Sequence, residues 1–285
     1  MNKKMRVVAT LTTRAKFHDC LKENLDSLTR QFDEVYLGLP YESHKGIKYK
    51  EFDHPKVTVV KLDEDIGPCC KLLGALIKEK RDPNTLIVSV DDDYIYRKDL
   101  RSIFEKKRQE DIDKGVNRVM SFSGVYMKYW NFGMYGLNGG WHDNDLFIDW
   151  NKEKKLTTIA GYCGCAYPAN IFKDVNDYID FSKKAFEKHD RNFYNDDVVI
   201  SAYLSFLEVE KVRIEAPENI LKGNNNNIGE KLSPEIKELY STIYSLRDYL
   251  EKNNPKKYTL VIIDLIFIIV IILTLFIIYY IYKMK

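Results

Sequence analysis

The sequence predicts an α/β protein with a mostly parallel sheet flanked by helices, followed by one transmembrane helix near its C-terminus. Two observations predict this fold class. Short apolar runs alternate with amphipathic stretches from residue 6 to residue 122, as expected for strands joined by helices. Residues 260–282 are mostly apolar, carry a single charge at Asp264 and contain neither Gly nor Pro.

The net charge argues against a protein built to coat nucleic acid. The 285 residues contain 44 Lys and Arg against 42 Asp and Glu, a formal charge of +2, whereas nucleic-acid-binding domains are markedly basic. Four lysines and one aspartate give residues 255–285 a charge of +3, which leaves −1 on the rest. We therefore expect no nucleic-acid partner for this mildly acidic body.

The apolar tail predicts a membrane anchor. As a helix it would be about 35 Å long, enough for a hydrocarbon layer of about 30 Å. Lysines flank both ends, and we place the transmembrane helix at residues 258–283. The first residues lack the apolar core of a signal peptide, and the five cysteines are odd in number. We therefore expect a single-pass C-terminal anchor with the body facing the cytosol.

The remaining elements divide the chain into three parts. Strands are predicted at residues 6–11, 34–39, 57–61, 85–90, 118–122 and 209–216, and helices at 16–30, 96–114 and 197–207, with a further helical stripe after Gly67 and Pro68. We assign residues 1–223 to a catalytic domain and residues 224–257 to a loop and an amphipathic helical stalk. In parallel sheets, ligands bind beyond the carboxyl ends of the strands.

Three consecutive carboxylates, Asp91, Asp92 and Asp93, directly follow the predicted strand at residues 85–90. Adjacent carboxylates repel one another unless a cation neutralises them. Mg²⁺ and Mn²⁺ take oxygen ligands of this kind and leave positions for phosphate oxygens. The alternative is a solvated acidic turn, but the direct junction with a buried strand favours a metal site.

The segment VSVDDDYIY resembles the metal-binding DxD motif of nucleotide-sugar glycosyltransferases of the GT-A fold. Four further stretches resemble the microbial and viral, family-2-like branch of these enzymes, in the same order: TLTTR at 10–14, DIGPCCKL at 65–72, GYCGCAYP at 161–168 and NDDV at 195–198. The resemblance covers roughly residues 5–220 and implies a Rossmann-like GT-A domain.

This resemblance implies roles for individual residues. Thr12, Arg14, Lys71, Asp91 and Asp92 would contact the nucleotide sugar, most simply a UDP-sugar. Lys71 falls in the first turn of a predicted helix, where amide groups also favour anions. For Arg14 and Lys71 the alternative is an ordinary surface charge.

The resemblance also implies a metal site and a catalytic base. Asp91 and Asp93 would hold Mn²⁺ or Mg²⁺, with Asp93 as a direct ligand. Asp197 would be the general base that takes a proton from the acceptor hydroxyl, with Asp196 in reserve. Helix capping is the alternative for this pair. No third metal ligand is evident near the C-terminus, and a surface role is favoured for His142.

The expected activity is metal-dependent transfer of a sugar to a hydroxyl group of a glycan, lipid or protein, with inversion at the anomeric carbon. Two other classes of protein stay open at this point. A nucleotidyltransferase or phosphohydrolase also uses clustered aspartates with a metal. A membrane-tethered carbohydrate-binding or scaffold protein without catalytic activity would keep the same fold.

Overall fold

The computed structural model describes residues 4–17, 19–125, 154–156, 158–188, 193–215 and 221–222. All of them belong to one compact unit. No helix among the described residues is long and apolar enough to cross a bilayer. The predicted stalk and the predicted transmembrane helix at residues 258–283 lie outside the described residues.

The described residues form a mixed α/β fold around an eight-stranded sheet. Its strands are β1 (Arg6–Thr12), β2 (Glu34–Pro40), β3 (Thr58–Leu62), β4 (Thr85–Ser89), β6 (Val119–Val125), β7 (Lys154–Lys155), β8 (Thr158–Pro168) and β9 (Lys211–Arg213), in the order β3-β2-β1-β4-β8-β6-β9-β7. Four of the seven neighbouring pairs are parallel, and β8 runs antiparallel to both of its neighbours. A second, two-stranded sheet pairs β5 (Ile95–Tyr96) with β10 (Leu221–Lys222).

Five helices accompany the sheet in the described part of the chain. They are α1 (Leu21–Leu28), α2 (Cys70–Glu79), α3 (Leu100–Asp113), α4 (Val175–Lys188) and α5 (Asp196–Phe206). Helix α2 follows a 3₁₀ turn at Gly67–Cys69. The predicted α/β class with a mostly parallel, helix-flanked sheet is therefore confirmed. The observed α1 is shorter than predicted, and α4 was not predicted.

One face of the sheet packs against α1 and α3. Alternate residues of each central strand are fully buried on this face, in keeping with the period of two along a strand. The cluster contains Val7, Ala9 and Leu11 from β1, Val35, Leu37 and Leu39 from β2, and Leu86 and Val88 from β4, together with Leu21, Leu25 and Leu28 of α1 and Leu100 and Phe104 of α3. This core fixes the position of β4, and the acidic residues Asp91, Asp92 and Asp93 follow the end of that strand.

On the other face, α2 lies unusually close to β2. A Cβ atom on Gly38 would lie 2.9 Å from Cys70 O, and one on Gly74 would lie 3.1 Å from Tyr36 Cβ. The two glycines therefore allow the helix backbone to approach the strand backbone. Thr10 Oγ1 of β1 donates a hydrogen bond to Lys71 O at 2.6 Å, which fixes the first turn of α2 on the sheet.

Candidate active site

The site lies where β4 ends and β8 runs past it. Because β8 is antiparallel to β4, its first half extends beyond Val90 and alongside the acidic turn that follows. Tyr96 joins the two segments: its hydroxyl accepts a hydrogen bond from Asp91 N–H at 2.8 Å and donates one to Tyr162 O at 3.0 Å. The acidic turn and β8 therefore form adjacent walls of one site.

Lys71 is the central cation of this site. Its Nζ lies 2.5 Å from Asp91 Oδ1 and 2.6 Å from Asp196 Oδ2, and the residue is only 5% exposed. Asp196 Oδ2 is itself buried and has no other polar partner among the described residues, so the ion pair is what neutralises it. One ammonium group thus connects the residues after β4 with the start of α5.

Asp197 faces the same site from the first turn of α5. Its Oδ1 accepts a hydrogen bond from Gly161 N–H at 2.8 Å. A Cβ atom on Gly161 would lie 2.9 Å from Asp197 Oδ1 and 3.4 Å from Lys71 Nζ. This position of β8 therefore favours glycine. The structure therefore brings Lys71, Asp91, Asp196 and Asp197, all predicted as site residues, into one cluster.

Burial and neighbouring charges shift the pKa values of Asp197 and Lys71. Burial raises the pKa of Asp197 well above its ordinary value; repulsion from Asp196 adds to this, and Lys71 opposes it. Burial alone would lower the pKa of Lys71, but attraction to Asp196, Asp91 and Asp197 outweighs it and raises that pKa well above its ordinary value. A carboxyl group with a raised pKa beside a fixed cation can exchange a proton with a bound hydroxyl group.

Side chains from two other segments hold the acidic turn. Asn24 of α1 is fully buried and its Nδ2 donates to Asp91 O at 2.8 Å and also to Tyr94 O. Thr13 Oγ1 donates to Asp92 Oδ2, and Cys20 Sγ lies 3.5 Å from Asp92 O. The turn is therefore fixed from the α1 side, and the carboxylate of Asp91 faces Lys71.

The other predicted ligand residues stand at or just after the ends of β1 and β4. Thr12 ends β1 and its hydroxyl donates to Gly38 O at 2.8 Å. Arg14 is exposed just beyond β1, with no hydrogen bond or ion pair recorded within the described part of the chain. Asp93 is exposed in the acidic turn that follows β4. His142 and His189 lie outside the described residues.

The acidic turn has the donor chemistry of a divalent-cation site. Burial, followed by the charges of Asp93 and Asp92, raises the pKa of the Cys20 thiol, and burial followed by Asp93 and Asp91 raises the pKa of Tyr94. The turn is therefore a region of negative potential that Lys71 balances only in part. The described residues contain no group of three or more His, Cys, Asp or Glu side chains arranged to enclose an ion. Mg²⁺ commonly binds one or two carboxylates and completes its shell with phosphate oxygens and water, which this turn fits.

Two supporting residues were missed in the sequence. Asn24 lies on the apolar face of α1 with Leu21, Leu25 and Leu28, and a polar side chain at such a position signals a buried hydrogen-bonding role. Tyr96 was assigned to a helix, and its bridging role depends on β8, which is distant in sequence. Only Asn24 carried a local signal.

Together these features define a mixed α/β domain with a charge-paired carboxylate cluster at the carboxyl ends of its strands, where such folds bind ligands. No protein-family model matches the chain, and no curated protein matches its sequence. Among solved structures, one that is similar is the crystal structure of Rv0371C in complex with manganese from Mycobacterium tuberculosis H37Rv. The identity is 18% and the TM-score 0.22, and the match covers 41% of this chain and 64% of that one, less than two thirds of its length. A likeness at this level carries no argument about fold or activity.

Proposed function

We propose that the chain is a metal-dependent glycosyltransferase of the GT-A type, which transfers a sugar from a nucleotide-sugar donor to a hydroxyl acceptor with inversion. The convergence of separated motif segments supports this proposal. Lys71, Asp91, Gly161, Asp196 and Asp197 come from four stretches of sequence that resemble motifs of this family, and hydrogen bonds or ion pairs link them in one cluster.

Asp197 is proposed as the general base. It takes the proton of the acceptor hydroxyl as that oxygen attacks the anomeric carbon from the face opposite the diphosphate, and the bond to the diphosphate breaks. A raised pKa suits this role, because the carboxylate is then a stronger base than an ordinary aspartate. Gly161 N–H orients Asp197 through its hydrogen bond, and Lys71 holds Asp196 beside it.

The donor is proposed to lie at the acidic turn, most simply as a UDP-sugar. Asp91 and Asp93 would hold Mn²⁺ or Mg²⁺, which when bound neutralises the diphosphate and the charge that grows on the leaving nucleotide. Asp92, Thr12 and Arg14 would contact the nucleotide. Lys71 is already paired with two carboxylates, so we assign it a positioning role within the site rather than a direct phosphate contact.

We further propose that residues 258–283 hold the enzyme at a membrane with its body in the cytosol. The apolar composition of that segment supports an anchor. None of the five cysteines, all of which lie within the described residues, forms a disulfide bond, which suits a reducing compartment. An anchored enzyme searches a surface, so a glycan, lipid or protein acceptor held at the membrane is the expected partner.

The test is transfer by the full chain in detergent, incubated with a panel of nucleotide sugars and Mn²⁺ or Mg²⁺. We expect one donor to release its nucleotide and yield a glycosylated product. Asp197→Asn should lower the rate by about 10²–10⁴-fold, the range for loss of a general base. Asp180→Asn, on the exposed side of α4, is the matched control and should keep full activity.

Two results would overturn the proposal. Hydrolysis of a phosphoester without sugar transfer would identify a phosphohydrolase or nucleotidyltransferase. Binding of a glycan that is unchanged in Asp93→Ala and Asp197→Ala, with no turnover of any donor, would identify a catalytically silent binding protein.

A further inference from the structure

A short hairpin between β2 and β3 presents His44 at its tip. Glu42 pairs antiparallel with Lys48, and Ser43 N–H donates to Ile47 O at 2.9 Å. Gly46 closes the turn with a φ of +75°, a conformation that favours glycine, and its N–H donates to Ser43 O at 2.8 Å. The hairpin is thus an ordered element, and it holds the imidazole of His44 in a defined place.

His44 bridges two segments that are far apart in the sequence. Its backbone N–H donates to Asp65 Oδ2 at 2.8 Å, and its Nδ1 lies 3.4 Å from the same oxygen. Its Nε2 lies 3.3 Å from Tyr194 Oη. With Nδ1–H directed at the carboxylate, Nε2 accepts from the tyrosine hydroxyl, so the three side chains form a chain from Asp65 to Tyr194.

Phe193 packs against both His44 and the turn at Gly67, and so stabilises the same contact between segments. Its ring centroid lies 4.1 Å from that of His44. Gly67, with a φ of +62°, lies so close to the carbonyl oxygen of Phe193 that a Cβ atom there would collide with it. Asp65 Oδ1 accepts from Gly67 N–H at 2.8 Å and holds the turn in this conformation.

Both bridged segments lead directly into the candidate site. The turn at Gly67 opens the 3₁₀ turn that continues into α2 and Lys71. Tyr194 precedes Asp196 by two residues, and Asn195 O accepts from the N–H groups of Val198 and Val199 in the first turn of α5. A contact between the two segments therefore sets the starts of α2 and α5 relative to each other, and with them the two ends of the ion pair.

We infer that His44 is a positioning residue that, through Asp65 and Tyr194, aligns the carboxylates of Asp196 and Asp197 with Lys71 and Gly161. The inference rests on the proposed function for its catalytic consequence, but the alignment itself is a property of the fold. His44 touches neither carboxylate, and it acts by fixing the segment that carries them.

The test compares Tyr194→Phe, which removes one oxygen, and His44→Phe, which keeps an aromatic ring against Phe193, with the wild-type full chain. Tyr41→Phe is the matched control, because Tyr41 is 59% exposed at the base of the same hairpin. Amide hydrogen exchange is read at Gly161, whose N–H is bonded to Asp197, and at Val7–Leu11 of the buried strand β1 as a measure of global stability.

We expect Tyr194→Phe and His44→Phe to speed exchange at Gly161 by about tenfold while β1 keeps its protection, the pattern of a local opening. Transfer should fall by about tenfold in kcat with little change in the donor KM, since misplacement of a catalytic group by a fraction of an ångström has effects of this order. Tyr41→Phe should match the wild type in both measurements.

Unchanged exchange at Gly161 in Tyr194→Phe would overturn the inference, as would a loss of protection spread evenly over β1, which would assign the contacts to general stability. If His44→Phe fails to fold, Tyr194→Phe alone still tests the inference. If exchange changes as expected but no nucleotide sugar is turned over by the wild type, the alignment stands and the proposed function fails.

Discussion

The backbone N–H of Gly161 donates a hydrogen bond to Asp197 Oδ1 at 2.8 Å, and so a residue without a side chain orients the proposed base. The resemblance of the segment at 161–168 to the glycosyltransferase motif assigned no individual role to Gly161. The geometry gives it one, because the N–H group can reach the carboxylate only where nothing fills the space between β8 and α5.

Gly161→Ala should therefore impair transfer. The added Cβ would lie 2.9 Å from Asp197 Oδ1, so the carboxylate must shift away from its donor. We expect kcat to fall by about tenfold or more and the free energy of unfolding to fall by about 1–3 kcal/mol, as for overpacking. Steady-state kinetics and urea denaturation measure the two effects, and wild-type kcat in this variant would contradict the assignment.

Lys71→Met should destabilise the fold strongly. The substitution leaves Asp91 and Asp196 without their common counter-ion in a buried setting, and removal of one partner of a buried ion pair costs about 3–5 kcal/mol. Lys78→Met, on the exposed side of the same helix, is the control and should stay within about 0.5 kcal/mol of the wild type. Equal effects of the two substitutions in urea denaturation would show that the ion pairs contribute no net stability.

Because of Lys211, the free energy of unfolding should increase with pH in the alkaline range. Burial lowers its pKa from 10.5 to about 8, while Nζ donates to Ser205 Oγ at 2.6 Å. Below pH 8 Lys211 is protonated in both states and the folded state bears the full cost of burying the charge. Between pH 8 and 10.5 the unfolded state binds more protons, so stability rises with pH by up to about 3 kcal/mol from this group.

The measurement is the free energy of unfolding of the wild type and of Lys211→Met from pH 7 to pH 10. Other groups titrate equally in both proteins, so the difference between them isolates Lys211. We expect the wild type to gain relative to the variant as the pH rises, whereas Lys78→Met should run parallel to the wild type. Parallel curves for Lys211→Met would mean that Lys211 keeps an ordinary pKa.

Metal removal should abolish transfer. With excess chelator the full chain should lose turnover and regain it on addition of Mn²⁺ or Mg²⁺. Asp93→Ala should raise the Mn²⁺ concentration for half-maximal activity by about tenfold or more, as for losses around a metal site. Asp113→Ala, at the exposed end of α3, is the control and should titrate like the wild type. Turnover undiminished by chelator would remove the metal from the proposed mechanism.

The prediction from sequence was correct for elements whose local pattern of residues is enough to indicate their structure. The run at residues 85–90 was assigned as a strand and forms β4, because five consecutive buried positions leave few alternatives to a central strand. The pair Asp196 and Asp197 was assigned to a helix start and lies in the first turn of α5. At these places local preference and tertiary environment agree.

The remaining features depend on contacts that are distant in sequence. Tyr96 forms β5 instead of opening a helix, because its hydroxyl is held by Asp91 and Tyr162 and its backbone pairs with β10. The antiparallel direction of β8 follows from the topology and not from its residues. The contact of His44 with Tyr194 joins residues 150 positions apart, which no local pattern specifies.

The close approach of α2 to β2 at Gly38 and Gly74 divides the molecule into parts with different freedom to change. The helix and strand backbones nearly touch there. Helix α2, which contains Lys71, can therefore accept neither a side chain at these glycines nor a shift relative to β2. The hairpin around His44 and the segment at Tyr194 instead meet at the surface, where Tyr194 is 57% exposed. A change in the surface contacts of His44 and Tyr194 should therefore move Asp196 and Asp197, whereas Lys71 keeps its place on the sheet.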